Sequence, residues 1–326
     1  MLIIASIAAG WLSYRLVEQP TRRRARNAMV VGFVIASVAS GFAFSAVLNR
    51  ADGWIGRLPP YLASVANAMT SENPRRDECM RDVDGKPRGG RDFCALGGAS
   101  RPGAPVMMLW GDSFADMIQP VVDRAVDEFG VPGIVATQGG CPPWRGKVFP
   151  GCEGYANFVF DYFEKTPSVR LVVIAGDWQR YESVHDESVH ESQVLGEIAR
   201  ILAARGGHLV LVSTVPNPRA DVPRVWAQRQ TEAGRALPEL SVLRADQAAV
   251  FSHGEEIVAL AQRAGNVIIV DPFRSMCDAN TCSTVKNGRS PFRDTDHLTM
   301  DSVQTIAPDL SAAIVSAYRS IAQEPR

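Results

Sequence analysis

The chain has 326 residues, enough for one large domain with additional segments. Its formal net charge of -1, from 34 Lys and Arg against 35 Asp and Glu, excludes the basic footprint of a nucleic-acid-binding surface. Hydrophobic residues make up 46% of the sequence, enough for a globular core, but they are unevenly placed.

Residues 1 to 14 are apolar and uncharged, and too few to cross a bilayer alone. They read as the end of a helix whose beginning is missing, so the chain is expected to be truncated at its N-terminus or to start late. A basic cluster, Arg22-Arg23-Arg24-Ala25-Arg26, precedes an uncharged apolar run over residues 28 to 48, which is long enough for a transmembrane helix. Basic residues mark the cytoplasmic side of a span. The span should therefore run outward and place everything after Asn49 outside the cytoplasm, with residues 1 to 27 ending in a cytoplasmic turn. The alternative is a cleaved signal sequence, for which Ala43-Phe44-Ser45 offers a small-residue site.

Residues 49 to 103 are rich in Arg, Asp, Gly and Pro with little periodicity, and read as a juxtamembrane linker. From 104 to 326 short apolar runs alternate with longer amphipathic ones. Strands are expected at Val106 to Trp110, Gly133 to Ala136, Leu171 to Ala175, His208 to Ser213 and Val267 to Val270. Helices are expected near 115 to 129, 155 to 165, 191 to 205, 244 to 264 and 300 to 321. Strands separated by helices imply an α/β fold, a parallel sheet with helices on both faces. In such folds the ligand sits outside the carboxyl ends of the strands. The weakly patterned stretch 215 to 240 is either a loop over that site or a surface insertion.

The six cysteines fall as near neighbours: Cys79 and Cys94, Cys141 and Cys152, Cys277 and Cys282. Six cysteines allow 15 connectivities, and local pairing is expected over six unrelated buried thiols. A closed loop of about 15 residues contributes roughly 3 kcal/mol in the chain-entropy model. Such bridges persist in an oxidising compartment such as the periplasm. No Cys-x-x-Cys pair and no histidine at finger-like spacing is present, so no metal site is expected.

The chemistry is carried by two short motifs. Gly111-Asp112-Ser113 directly follows the first expected strand, and Asp294-Thr295-Asp296-His297 precedes the last helix. Serine is a weak nucleophile until a neighbouring base takes its proton. His297 can do that, and a carboxylate three residues earlier, Asp294, can fix the ring tautomer and stabilise the imidazolium. Asp296 is the rival for that role, but adjacency in sequence makes it hard for its carboxylate to reach the ring nitrogen. Asp112 reads as a turn-former bonding its own backbone. His185 and His190 lie in a charged, solvated stretch, and no motif in the sequence marks His208 or His253 as catalytic. Trp178 and Tyr181 are candidates to stack on sugar rings, against the alternative of packing inside the protein.

These two motifs resemble the first and last signature blocks of the SGNH hydrolase superfamily; the Gly-x-Ser-x-Gly elbow of ordinary α/β-hydrolases is absent. The resemblance implies a flavodoxin-like sheet and an oxyanion hole built from the serine amide, a second-block glycine amide and a third-block asparagine. The second block here is Thr137-Gln138-Gly139-Gly140-Cys141-Pro142-Pro143, with Gly140 the expected donor beside Ser113 and Gly139 its rival. The third block departs from the pattern, because Gly176-Asp177-Trp178 holds no asparagine. An ionised Asp177 cannot donate, which leaves two donors or a contribution from Trp178.

Ser13-Tyr14-Arg15-Leu16-Val17-Glu18-Gln19-Pro20-Thr21-Arg22 is similar to the end of the membrane domain of acyltransferase-3 proteins. With one more span and a Gly-Cys-Pro-Pro block, the chain resembles acyltransferase-3/SGNH fusion proteins, which O-acylate bacterial surface polysaccharides such as lipopolysaccharide O-antigen. The implied activity is O-acyl transfer, usually of acetyl, through an acyl-serine on Ser113. The implied location is the bacterial inner membrane with the catalytic domain in the periplasm. No bound cofactor is implied; the acyl group would come ultimately from acetyl-CoA through a membrane acyltransferase domain, upstream or supplied by another protein. A carbohydrate acetylesterase and a non-catalytic glycan-binding partner remain open alternatives.

Overall fold

A computed structural model of the chain describes residues 2–19, 27–51, 54–81, 92–98, 100–145, 149–181, 191–218, 220–233, 240–250, 258–259, 261–285 and 289–323. The chain divides into two compact units, Met1–Pro59 and Pro60–Arg326. In the first unit, helix Leu2–Ser13 runs into a π-helical turn over Tyr14–Glu18, and a second helix covers Asn27–Arg50. Within it Val30–Arg50 is long and apolar enough to cross a membrane. Phe33, Ile35, Phe42 and Phe44 are more than half exposed along that helix, a surface that water would penalise.

The second unit is built on a six-stranded sheet in the order β1-β3-β2-β4-β5-β7. Its strands are β1 (Cys94–Ala95), β2 (Met107–Gly111), β3 (Gly133–Thr137), β4 (Leu171–Ala175), β5 (His208–Val212) and β7 (Val267–Val270). All pair in parallel except β1, which runs antiparallel to β3 at the edge. A separate antiparallel pair joins β6 (Leu240–Leu243) to β8 (Thr281–Val285).

Period-two alternation explains why the central strands read as continuous apolar runs. Met107 and Leu109 of β2, with Val173 and Val210, face a core closed by Ile118 and Val122 of helix Ser113–Phe129 and by Leu310 and Ile314 of helix Met300–Gln323. Met108 and Trp110, with Val172, Ile174, Leu209 and Leu211, face the other way onto Phe160, Phe163, Leu195 and Ile198. A strand buried on both faces has no polar side to alternate with. Each fully buried aliphatic side chain contributes about 1.5–3 kcal/mol.

Two expectations are corrected. The stretch 49 to 103 is not a linker from Pro60 onward. Helices Pro60–Met69 and Arg76–Cys79 and strand β1 belong to the second unit, because Val65, Cys79 and Leu96 bury in its core and Cys94 and Ala95 add to β3. The stretch 215 to 240 is not merely a loop: Val222–Ala233 is helical, with Val222 and Trp226 buried. Of the helix expected over 244 to 264, Arg244–Val250 is helical and 251–257 lie outside the described residues.

The cysteines pair locally as Cys79–Cys94, Cys141–Cys152 and Cys277–Cys282. The first ties helix Arg76–Cys79 to edge strand β1, and the second pins the segment that follows β3.

Candidate active site

The site forms at the carboxyl end of β2. Gly111 adopts φ +152°, and a Cβ there would overlap the Ala175 carbonyl oxygen of the neighbouring strand β4. This close approach lets the chain turn at once into helix Ser113–Phe129. Asp112 caps that helix by accepting from the Phe114 N–H at 2.7 Å. Its second oxygen accepts from the Asp177 N–H at 2.8 Å and from the Tyr181 hydroxyl. Burial pushes the Asp112 carboxyl up, and these three donors act against that shift. Asp112 therefore does more than form a turn, since it locks the β2 and β4 ends together beneath Ser113.

His297 Nε2 lies 2.7 Å from Ser113 Oγ. Its Nδ1 lies 2.9 Å from Asp294 Oδ2 and 2.9 Å from Asp296 Oδ1. The expectation that Asp296 could not reach the ring is thus corrected. Asp294 Oδ1 accepts from the N–H groups of Asp296 and His297 at 3.0 and 2.8 Å, a local turn tight enough to swing both carboxylates onto one nitrogen. Two acceptors at Nδ1 place the proton there and leave Nε2 to face the serine. Burial works against charging the imidazole, but the hydrogen bonds to Asp294 and Asp296 outweigh it and carry His297 up to about 9. Burial would raise Asp294, yet the His297 hydrogen bond and charge hold it far below the usual carboxylate range. The Phe114 ring packs on the imidazole with centroids 5.1 Å apart.

The segment after β3 runs alongside. The Gln138 N–H donates to Gly111 O at 3.0 Å, and the Gly139 N–H donates to Arg81 O at 2.9 Å. Gly139 is therefore committed elsewhere and falls away as an oxyanion donor. Gly140 sits at φ +67°, and its N–H finds no acceptor among the described residues. The Arg180 guanidinium lies alongside, its Nη1 3.6 Å from where a Gly140 Cβ would be.

The third block holds a carboxylate where the resemblance implies an amide. Asp177 accepts from the Arg180 N–H at 3.2 Å. Burial, then the charges of Asp112 and Asp296, push it up to about 6. Its folded pKa thus exceeds the ordinary 3.8, so ionised Asp177 costs stability above pH 6 and the cost vanishes as pH falls below 3.8. Asp177→Asn keeps the acceptor and removes the charge. It should stabilise the chain by about 2 kcal/mol at pH 8 and by almost nothing at pH 4. Thermal unfolding at the two pH values checks this; equal shifts at both would contradict it.

Trp178 is not a sugar platform. The indole is fully buried, its Nε1–H donates to Val212 O at 2.9 Å, and it packs against Trp144 and Tyr181. Tyr181 is equally buried, with its hydroxyl on Asp112. Helix Trp178–Tyr181 turns both rings inward to fill the face opposite the Ser113 helix. His185, His190 and His253 lie outside the described residues.

Residues 78–312 match the profile of the family described as SGNH domain (fused to AT3 domains). The structure is similar to the periplasmic domain of a lipopolysaccharide acetyltransferase from Salmonella ser. Paratyphi A, at 17% identity and a TM-score of 0.48 over 67% of this chain and 86% of that one. It is also similar to a GDSL-like lipase from Bacteroides thetaiotaomicron VPI-5482, at 13% identity and a TM-score of 0.37 over 79% and 98% of the two chains. No curated protein sequence matches it.

Proposed function

Because this chain belongs to the family of SGNH domains fused to AT3 domains, we propose that it is a serine O-acyltransferase acting on a cell-surface polysaccharide such as lipopolysaccharide O-antigen. The observation that carries the reading is the Ser113 Oγ to His297 Nε2 contact of 2.7 Å, with Asp294 on the opposite ring nitrogen. A glycan-binding module has no use for that arrangement, which argues for an enzyme. The apolar helix Val30–Arg50 and the three disulfides support an inner-membrane anchor with the catalytic unit in the periplasm. The acyl group, acetyl in this reading, would come from acetyl-CoA through an acyltransferase-3 membrane domain.

The chemistry proceeds in two halves. Neutral His297 takes the Ser113 hydroxyl proton on Nε2 as Oγ attacks the acyl carbonyl carbon. The N–H groups of Ser113 and Gly140 stabilise the oxyanion, each such donor being worth about 10²- to 10³-fold in rate. His297 then returns the proton to the departing donor group, leaving acyl-Ser113. A sugar hydroxyl enters, gives its proton to His297 and attacks the acyl carbonyl. Collapse of the second tetrahedral intermediate forms the sugar ester, and Ser113 Oγ leaves with the proton. Water in place of the sugar makes the same site an esterase.

The test mixes the full chain in detergent with p-nitrophenyl acetate, with and without O-antigen oligosaccharide. Serine-dependent release of p-nitrophenol with the acetyl group recovered on the sugar is the expected result. Acetate released only to water would assign an esterase instead. Folded protein with no serine-dependent turnover would overturn the catalytic reading.

A base must be unprotonated to act, so kcat/KM should rise with pH through about 9, the value to which the two carboxylates carry His297. Asp296→Asn removes one of them and should move that rise down by about one unit. An unmoved profile would show that Asp296 does not share Nδ1.

A further inference from the structure

The segment Ser71–Arg76 lies just before the residues matched to the family, 78–312, yet it contacts both the loop that carries His297 and the helix that begins at Ser113. On the side of the base, Glu72 Oε1 accepts from Arg293 Nη1 at 2.7 Å, and Arg293 Nε reaches Asp294 Oδ2 at 3.2 Å. Two residues past Leu298, the Met300 N–H donates to Ser71 Oγ at 2.8 Å. The His297 loop is therefore held on both sides. On the side of the nucleophile, Asp116 lies one turn along the helix from Ser113. Asn73 Nδ2 donates to Asp116 Oδ1 at 2.8 Å and to Gln119 Oε1 at 2.9 Å, and Arg76 Nη1 reaches Asp116 Oδ2 at 2.6 Å. Arg76 Nε also lies 3.5 Å from Glu72 Oε2, which closes the chain from Asp116 to Asp294.

We propose that Ser71–Arg76 is a brace that fixes the His297 loop against the Ser113 helix, with Glu72 and Arg293 as positioning residues for Asp294. The inference rests on reading Ser113 and His297 as nucleophile and base. Arg293 suits this task because its planar fork binds two carboxylates at once, which a lysine ammonium does less well. Its side chain is only 9% exposed, whereas that of Glu72 is 47% exposed, so solvent screens the Glu72 end of the pair and the charge effect is modest. Gln119 and Asp116 are buried, and buried polar groups stay put only while their hydrogen bonds are met. The brace meets those of the nucleophile helix.

The charges that bear on His297 come from several elements. Asp294 and Asp296 act from its own loop and Asp112 from the end of β2, while Asp177 acts on Asp296 from the end of β4. Arg293, Glu72, Asp116 and Arg76 form the next layer. Neutralising Glu72 leaves Arg293 wholly to Asp294, which weakens the hold of Asp294 on the imidazolium.

The test combines an NMR titration of the His297 imidazole with ester turnover, both on the full chain. Glu72→Gln should lower the His297 pKa by about half a unit. Arg293→Lys keeps the charge and loses the fork; it should lower kcat about 10-fold with KM unchanged and shift the pKa much less than Glu72→Gln. An unchanged His297 pKa in folded Glu72→Gln would overturn the proposal even if the protein proved not to turn over esters. A kcat in Arg293→Lys equal to that of the unaltered chain would overturn it as well. Absence of turnover in the unaltered chain with the pKa shift present would count against the enzymatic reading and leave the brace standing.

Discussion

Replacing Ser113 by Ala should lower turnover of an activated acyl ester by about 10⁴-fold or more, with the fold intact. In the proposed reaction Oγ forms the covalent bond, and His297 Nε2 stands 2.7 Å from it. Ser113 is half-buried at the first position of its helix, and the cap belongs to Asp112, so losing the hydroxyl leaves the helix start unchanged. The stability cost should stay at about 2 kcal/mol, one hydrogen bond to a charged partner. His297→Ala should fall as far, and the double variant no further, because nucleophile and base act as one unit. Ester turnover alongside thermal unfolding checks all three. A Ser113→Ala protein that retained a tenth of the activity would remove this serine from the chemistry.

The five parallel strands are legible in the sequence because each carries a short apolar run, which burial on both faces demands most strictly of β2 and β4. Strand β1 is not, since its two residues are defined by what they pair with in β3 and by the bridge to Cys79. Ser113, Asp294 and His297 stand out because they fall in short motifs that pair a serine with a base and an acid, and the folded chain brings them within hydrogen-bond reach. Trp178 and Tyr181 are ambiguous in the sequence for a physical reason: an amphipathic ring suits a wet sugar site or a dry core with one polar partner, and only tertiary placement decides. Adjacency in sequence speaks against Asp296 reaching the ring, and that local argument fails because a side-chain cap tightens the turn. Glu72 and Arg293 carry no local signal at all. Their pairing across most of the chain exists only once the segment beginning at Pro60 packs against the domain.

Gly111→Ala should be the most destabilising single change near the site, by about 4 kcal/mol or more. The backbone there sits at φ +152°, where a side chain is strained, and the new Cβ would overlap the Ala175 carbonyl oxygen and come within 2.8 Å of Ala115 Cβ. Neither neighbour can yield cheaply. Ala175 is the register partner of Gly111 in the β2–β4 pair, and Ala115 belongs to the first turn of the Ser113 helix. Gly111 O also accepts from the Gln138 N–H, so a displaced strand end carries the Gly140 block with it. Activity should therefore be lost together with stability, unlike in Ser113→Ala. Gly154→Ala is the control: it lies in helix Glu153–Lys165 with nothing within 4 Å of the added methyl, and should stabilise by up to about 1 kcal/mol. Denaturant unfolding of the two variants measures the contrast. A Gly111→Ala protein as stable as the unaltered chain would mean that the β2–β4 ends are held more loosely than the packing beneath Ser113 requires.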